Sequence, residues 1–346
     1  MNSFSRFRML APCLALMLSA CAVTDTQVQM PPVTQNTDLP ALGVLSQTTS
    51  SDLNKTCQRM AARHHCQVDA IGAEAFQQSL QQTGLFPIVL LKQPGADYEL
   101  LISSLSYTDK RNRVQARFTL TWRGLPLKKF DYSLSRNGAR DDQAFASELV
   151  SHFLRDALAQ QVFSPGFLAH NLNSEDYEDD LKAPQQVSNF SLSERRIYND
   201  PLEGSMLTYR DPSFSNDKIE VSVYPIPTSD IGNTDAILEE ETEKLRDNLT
   251  DFVTDLNLPP LQMSEDIQLS WNMLNKQFKG YYLDAKIEKE GIEPFYASYF
   301  FFVQEDKIVK FTTTFPSRFA MEFVKQALPR MSVPGESPFI SNLRRL

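Results

Sequence analysis

A chain of 346 residues with 34 Lys and Arg against 43 Asp and Glu carries a formal charge of −9, is 42% hydrophobic, and holds 4 Cys, 4 His and 12 Gly. The acidic balance argues against nucleic acid and anionic lipid as main binding partners, because both repel a body of the same sign. The length suggests two domains, and so few glycines leave little loop able to cradle a phosphate.

Residues 1–20 have the three parts of a secretory signal: Arg6 and Arg8, an apolar run from Met9 to Met17 that contains Pro12, and small residues ahead of Cys21. The run is too short to span a bilayer, which takes about 20 apolar residues. Leu18-Ser19-Ala20-Cys21 resembles the lipobox of bacterial lipoproteins. That resemblance implies cleavage before Cys21, a diacylglyceryl group on its thiol, and acylation of the freed amine. Because Ala22 rather than Asp follows, it also implies the periplasmic face of the outer membrane. Two or three acyl chains anchor a protein stably where one does not. The alternative is ordinary signal cleavage near Ala20, with Cys21 a plain thiol. Residues 21–38, rich in Thr, Gln and Pro, read as a membrane tether. Loss of Arg6 and Arg8 with the signal takes the formal charge of the remainder to −11.

Cys13 leaves with the signal and Cys21 carries lipid, so Cys57 and Cys66 are left as one pair in an oxidising compartment. A disulfide is the natural reading. The alternative is a metal site using His64 and His65 beside Cys66, but neighbouring ligands on one element point apart and the spacing fits no common zinc pattern. No metal or cofactor is expected.

Residues 39–163 read as an N-terminal α/β domain with a mostly antiparallel sheet. A strand at Ala41–Leu45 precedes a helix with Asp69 as N-cap, Phe76 and Leu80 one turn apart, and Gly84 as its stop. Strands follow at Phe86–Leu91, Tyr98–Tyr107 and Val114–Trp122, the last with Ala116, Phe118, Leu120 and Trp122 on one face. Arg123-Gly124 turns it into a hairpin with Leu125–Leu134. A closing helix carries Phe145, Leu149 and Phe153 beside Val150, Leu154 and Leu158 as one apolar stripe. The run Leu80-Gln81-Gln82-Thr83-Gly84-Leu85-Phe86, followed by Ala96-Asp97-Tyr98-Glu99-Leu100-Leu101, resembles the small α/β domain at the start of TolB and of curli-secretion-type envelope lipoproteins. The resemblance implies docking or assembly rather than catalysis.

Residues 164–195 include Ser174-Glu175-Asp176-Tyr177-Glu178-Asp179-Asp180 and read as an acidic, solvated linker, since the run lacks the alternation and turn glycine of a calcium loop. Residues 196–334 read as a second domain. Strands at Gly204–Tyr209 and Lys218–Ile226 lead to a helix at Thr234–Asn257, with Leu238, Leu245, Leu249, Phe252 and Leu256 inward and an acidic first turn that suits the helix dipole. Strands at Ile267–Met273, Phe278–Ile287, Phe295–Val303 and Lys307–Phe315 follow, then a helix at Ser317–Leu328. Phe295–Val303 is apolar on both parities, so helices must cover both faces. The aromatic residues Tyr281, Tyr282 and Tyr296 read as core rather than as an exposed recognition surface. This order of elements resembles the PsbP/Mog1-like α/β/α sandwich, whose members are mainly accessory or assembly factors. Residues 335–346 read as a tail. The fold class is thus α+β in two domains, the second an α/β/α sandwich with an antiparallel sheet.

Catalytic patterns are scarce. His152 stands one turn from Asp156, but no G-x-S-x-G elbow supplies a nucleophile. Glu288, Glu290 and Glu293 flank Gly291 in what reads as an exposed turn rather than a paired-carboxylate site. The expectation is a non-enzymatic, lipid-anchored periplasmic accessory or scaffold protein, held to the membrane through Cys21 and bound to an envelope protein partner, without nucleic acid. The rival readings are an enzyme acting on cell-wall or other envelope substrates and a small-ligand-binding module.

Overall fold

The computed structural model describes residues 33–34, 39–46, 55, 57–59, 65–68, 71–92, 96–108, 113–135, 141–256, 258–288, 291 and 294–345. In chain order the first elements are β1 (Val33–Thr34), β2 (Leu42–Ser46), β3 (His65–Val68), α1 (Ala73–Gln82), β4 (Val89–Leu91), β5 (Tyr98–Thr108), β6 (Arg113–Trp122), β7 (Leu125–Ser135), α2 (Asp142–Ala159) and α3 (Pro165–Leu172). Then come β8 (Gln186–Val187), β9 (Phe190–Ile197), β10 (Ser205–Asp211), β11 (Phe214–Pro225), α4 (Thr234–Asp255), β12 (Leu261–Met263), β13 (Ile267–Met273), β14 (Lys276–Ile287), β15 (Phe295–Gln304), β16 (Lys307–Thr313), α5 (Ser317–Ala327), a 3₁₀ turn at Leu328–Arg330, and α6 (Pro338–Leu343). The protein is α+β, with two separate sheets.

The first sheet runs β4-β2-β5-β6-β7. Its β2 is parallel to β4 and β5, while β5, β6 and β7 form an antiparallel meander. The length of β5 lets it serve two neighbours, β2 along its first half and β3 along its second. Arg123 and Gly124 both take positive φ, the backbone that a two-residue hairpin turn demands. Ala116, Phe118, Leu120 and Trp122 are all buried on one face, as their alternation requires. Phe118 stacks on Phe153 of α2 at 5.3 Å and meets Phe76 of α1 edge-on at 5.6 Å, which fixes both helices to that face. The Asp141 carboxylate caps α2 by accepting from Ala144 N at 2.8 Å.

Three local expectations for this region change. Asp69 lies outside the described residues, and the N-cap of α1 is Gly72. Pro87, which has no N–H for a ladder, leaves only Val89–Leu91 as strand. Leu158 is exposed, because each i,i+4 step carries the Val150, Leu154, Leu158 row further round the helix and Ala157 takes the buried position in the last turn of α2.

The second sheet runs β1-β9-β10-β11-β16-β15-β14-β12, with β13 sharing the outer edge of β14 and β8 pairing β9. All its pairings are antiparallel except β1 with β9, where Val33 lies opposite Arg195 and Thr34 opposite Arg196. Helices cover both faces. Leu207, Tyr209, Val221, Phe300, Phe302 and Phe311 pack with Phe323 and Val324 of α5 on one side. Tyr281, Leu283, Tyr299, Phe301 and Ile308 pack with Ile237 and Leu238 of α4 on the other. The double-sided apolar pattern of β15 therefore reflects an α/β/α sandwich, and Phe300, Phe301 and Phe302 are all buried. Gly280 is required where Phe302 crosses it, since a Cβ there would stand 2.4 Å from Phe301 O and 2.5 Å from the Phe302 ring.

Two expectations about connections are overturned. The stretch 164–195 is folded rather than a solvated linker. Ser164 caps α3 by accepting from Phe167 N at 3.1 Å, Pro165 opens the helix, and Leu168 enters the core of the first sheet. Tyr177, Leu181, Val187 and Leu192 enter the core of the second. The acidic density hid an apolar i,i+4 pair, Tyr177 and Leu181. Nor is 335–346 a free tail, since Phe339 of α6 packs against Trp122 of the first sheet at 6.2 Å while Arg344 bonds to the second.

Candidate interaction surface

The site residues expected from the sequence are mostly out of view. Cys21, the signal and most of the tether lie outside the described residues. Cys57 is buried and engaged rather than free. Of Cys66 the backbone alone is described, in β3 opposite Tyr107 of β5. His64, Glu290 and Glu293 also lie outside the described residues.

The candidate acid–base pairs are used otherwise. The His152 ring stacks on Tyr132 at 6.0 Å. Asp156 accepts from Tyr132 Oη at 3.0 Å and from Arg155 Nε at 2.9 Å, and those bonds, led by Arg155, hold its carboxyl below the usual range. Glu288 pairs with Lys286 on the surface, which likewise lowers its carboxyl. Among the described residues no group of three His, Cys, Asp or Glu side chains is placed to hold a metal. No helix among them is long and apolar enough to cross a membrane.

Where the two sheets meet, charge is buried. The ammonium of Lys307, with no exposure, lies 3.2 Å from Oε1 of an equally buried Glu175 and contacts Asp306 beside it. Arg344 reaches Asp306 Oδ2 at 3.0 Å and donates to Ile226 O at 2.6 and 2.9 Å. Arg195 donates to the carbonyls of Tyr177 and Glu178, and burial pulls its guanidinium below the ordinary value against the opposing pull of Glu178, Asp176 and Asp179. Burial, with Glu175 and Asp306 alongside, pushes the Tyr177 phenol up. The hydroxyls of Ser174 and Tyr177 have no hydrogen-bond partner. Arg123 adds an outer tie, bonding Asp97 at 2.8 Å and Asp200 at 2.7 Å from its hairpin turn. Charges that pair only in the folded state hold three distant stretches of chain together, and this junction is structural chemistry.

The clefts near the junction are open and of mixed polarity. One of about 300 Å³ is lined by Gln160, Ser164, Phe167, His170 and Glu178, and a neighbour of about 380 Å³ by His170, Asn173, Asp176 and Asp179. Asp176 Oδ1 accepts from Glu178 N and Asp179 N, both at 2.9 Å, shaping the turn.

The far end of the sandwich is different. Leu245, Leu249, Phe252 and Leu256 form one helical stripe at i,i+4,i+7,i+11. Its first two members pack partly buried on the second sheet, yet Phe252 and Leu256 are 53% and 56% exposed. They were expected to point inward. The helix overruns its support, because β12 beneath it has just three residues. Leu258 is also exposed, and Phe295, at the start of β15, is 68% exposed rather than covered. Leu261 lies opposite Ile287, which lies opposite Phe295, all on the α4-facing parity, so the open strand ends and the overrunning helix share one end of the molecule. Of the aromatic residues read as core, Tyr281 is buried and Tyr282 packs on Phe300 at 5.5 Å, while Tyr296 is exposed at this end.

These features define an α+β protein of two sheets tied by a buried ionic junction, with an apolar surface at one end. No protein-family model matches the chain, and no curated protein matches it. Among solved structures it is similar to the solution structure of cyanobacterial PsbP (CyanoP) from Synechocystis sp. PCC 6803, at 12% identity and a TM-score of 0.28, over 44% of this chain and 92% of that one. That is a distant likeness, and the layer order above rests on this chain's own pairings.

Proposed function

We propose that the protein is a non-enzymatic accessory or scaffold component of an envelope complex, held at the periplasmic face of the outer membrane by lipid on Cys21. The observation that carries this reading is the uncovered apolar stripe at the end of α4. Apolar side chains left in water beside strand ends are what a protein-binding surface needs. The TolB-like and PsbP-like textures of the two halves agree with an assembly role. Pairing of Val33 and Thr34 with β9 fits a short leash: Cys21 stands twelve positions before Val33, a reach of at most about 40 Å.

Mass analysis of the mature N-terminus should find diacylglyceryl on Cys21, and Cys21→Ser should move the protein from the membrane fraction to the soluble or unprocessed fraction. An unmodified soluble product from the native sequence would refute the anchor. We also propose the disulfide Cys57–Cys66. Alkylation of the unfolded, unreduced protein should label neither thiol, and their joint replacement by Ser should cost at most about 3 kcal/mol, given so short a loop. Labelling of either residue before reduction sinks the pairing.

A further inference from the structure

We propose that Phe252, Leu256, Leu258 and Phe295 seat a segment of a partner protein in which apolar side chains are flanked by Lys or Arg; this deepens the accessory reading and rests on it. The apolar centre is set by the overrun of α4 past β12 and by the open ends of β14 and β15. Its rim is acidic. Asp251 and Asp255 stand exposed on one flank of the stripe at the end of α4, and exposed Glu288 follows Ile287. Two described cations stand near the rim in sequence: Arg246 is taken up by Asp266, and Lys286 is taken up by Glu288 and lies over the Tyr296 ring at 5.4 Å. An apolar patch with an acidic rim selects a partner of the complementary sign.

Other occupants fit less well. Residues 21–32 contain no Lys or Arg and include Asp25. They lead into Val33–Thr34, which is fixed at the opposite edge of the sheet. Phe295 on β15 is five strand spacings from β1, and β12 is seven, which is ~24 to ~34 Å across the sheet. The C-terminus is held at Ile226 and Asp306 by Arg344. A second copy docked two-fold on the same patch would set Asp251 and Asp255 near their own equivalents. Anionic lipid headgroups carry the same sign as the rim.

The test is a photo-crosslinking benzophenone amino acid placed singly at Phe252 and at Phe295 in the full-length protein in intact cells. Phe214, 62% exposed at the start of β11, is the comparison position. Both patch positions should capture the same protein, through a peptide with apolar residues between Lys or Arg. Phe252→Ser with Leu256→Ser, and separately Asp251→Lys with Asp255→Lys, should each lower the yield roughly tenfold, as loss of a central anchor or of rim complementarity does. Capture of a second copy, of lipid, or of a peptide without basic residues overturns the proposal, and so does a yield indifferent to the charge reversal. Capture from Phe214 alone defeats the patch while leaving the accessory reading intact. No protein captured from any of the three positions defeats both.

Discussion

Replacing Lys307 with Ala is expected to destabilise the protein by about 3–5 kcal/mol, the range for removing one partner of a buried ion pair. Lys307 has no exposure, and its ammonium stands between the Glu175 and Asp306 carboxylates. The Ala variant leaves Glu175 buried with neither oxygen hydrogen-bonded to protein. It also leaves Asp306 with Arg344 as its remaining ion-pair partner. The cost should appear as a lower urea midpoint at unchanged slope. Replacing the pair together, Lys307→Met with Glu175→Leu, should recover most of the loss, because an apolar pair of similar volume carries no stranded charge and Asp306 keeps Arg344. A Lys307→Ala cost below about 1 kcal/mol would mean that the cluster is hydrated and the junction is held mainly by its apolar contacts.

The same cluster marks where reading the sequence stops. Period carried the sheets: the single-face alternation of β6 and the double-sided pattern of β15 follow from the strand pleat, and both gave the right layers. The α2 stripe held by helical period, with Ala157 rather than Leu158 buried at its end. What period does not contain is the length of the neighbour. The stripe from Leu245 to Leu256 is continuous in sequence, but β12 is too short to cover its end, so the same stripe is packed and partly buried at Leu249 and exposed at Phe252. The candidate surface was invisible for that reason.

Charge density misled in the opposite direction. In the acidic stretch, Glu175 sits among carboxylates that suggest solvent, yet its partner Lys307 is 132 positions away and no local pattern joins them. The signals that were present, Ser164-Pro165 as a helix start and Tyr177 with Leu181 one turn apart, were local and readable. The resemblance of Leu18-Ser19-Ala20-Cys21 to a lipobox stood out because it is contiguous and is read as sequence rather than as fold.

Gly204→Ala is expected to cost about 3 kcal/mol or more, the second large effect. Gly204 has φ +65°, and a Cβ there would lie 2.0 Å from Val223 O and 2.8 Å from Tyr224 Cα. Both obstacles are backbone of β11, so no side-chain rotation relieves them, and the first pair of the β10–β11 ladder, Ser205 with Val223, must part. Parting it strains the bond from Ser205 Oγ to Arg196 O, 2.9 Å long, and the bond from Tyr198 N to Gly204 O. The control is Gly124→Ala: its φ is +80° but nothing stands within 4 Å, so it should cost only the left-handed penalty of about 1 kcal/mol. Equal losses for the two variants would show that backbone strain alone matters and that the close approach does not. The difference has a consequence at the sheet edge. Arg196 of β9 faces Met206 of β10 on one side and Thr34 of β1 on the other. A displaced β10 therefore disturbs the strand that pairs with β1, and amide exchange in Gly204→Ala should accelerate at Ser205 and Val223 and then at Thr34, while in Gly124→Ala all three stay at wild-type rates.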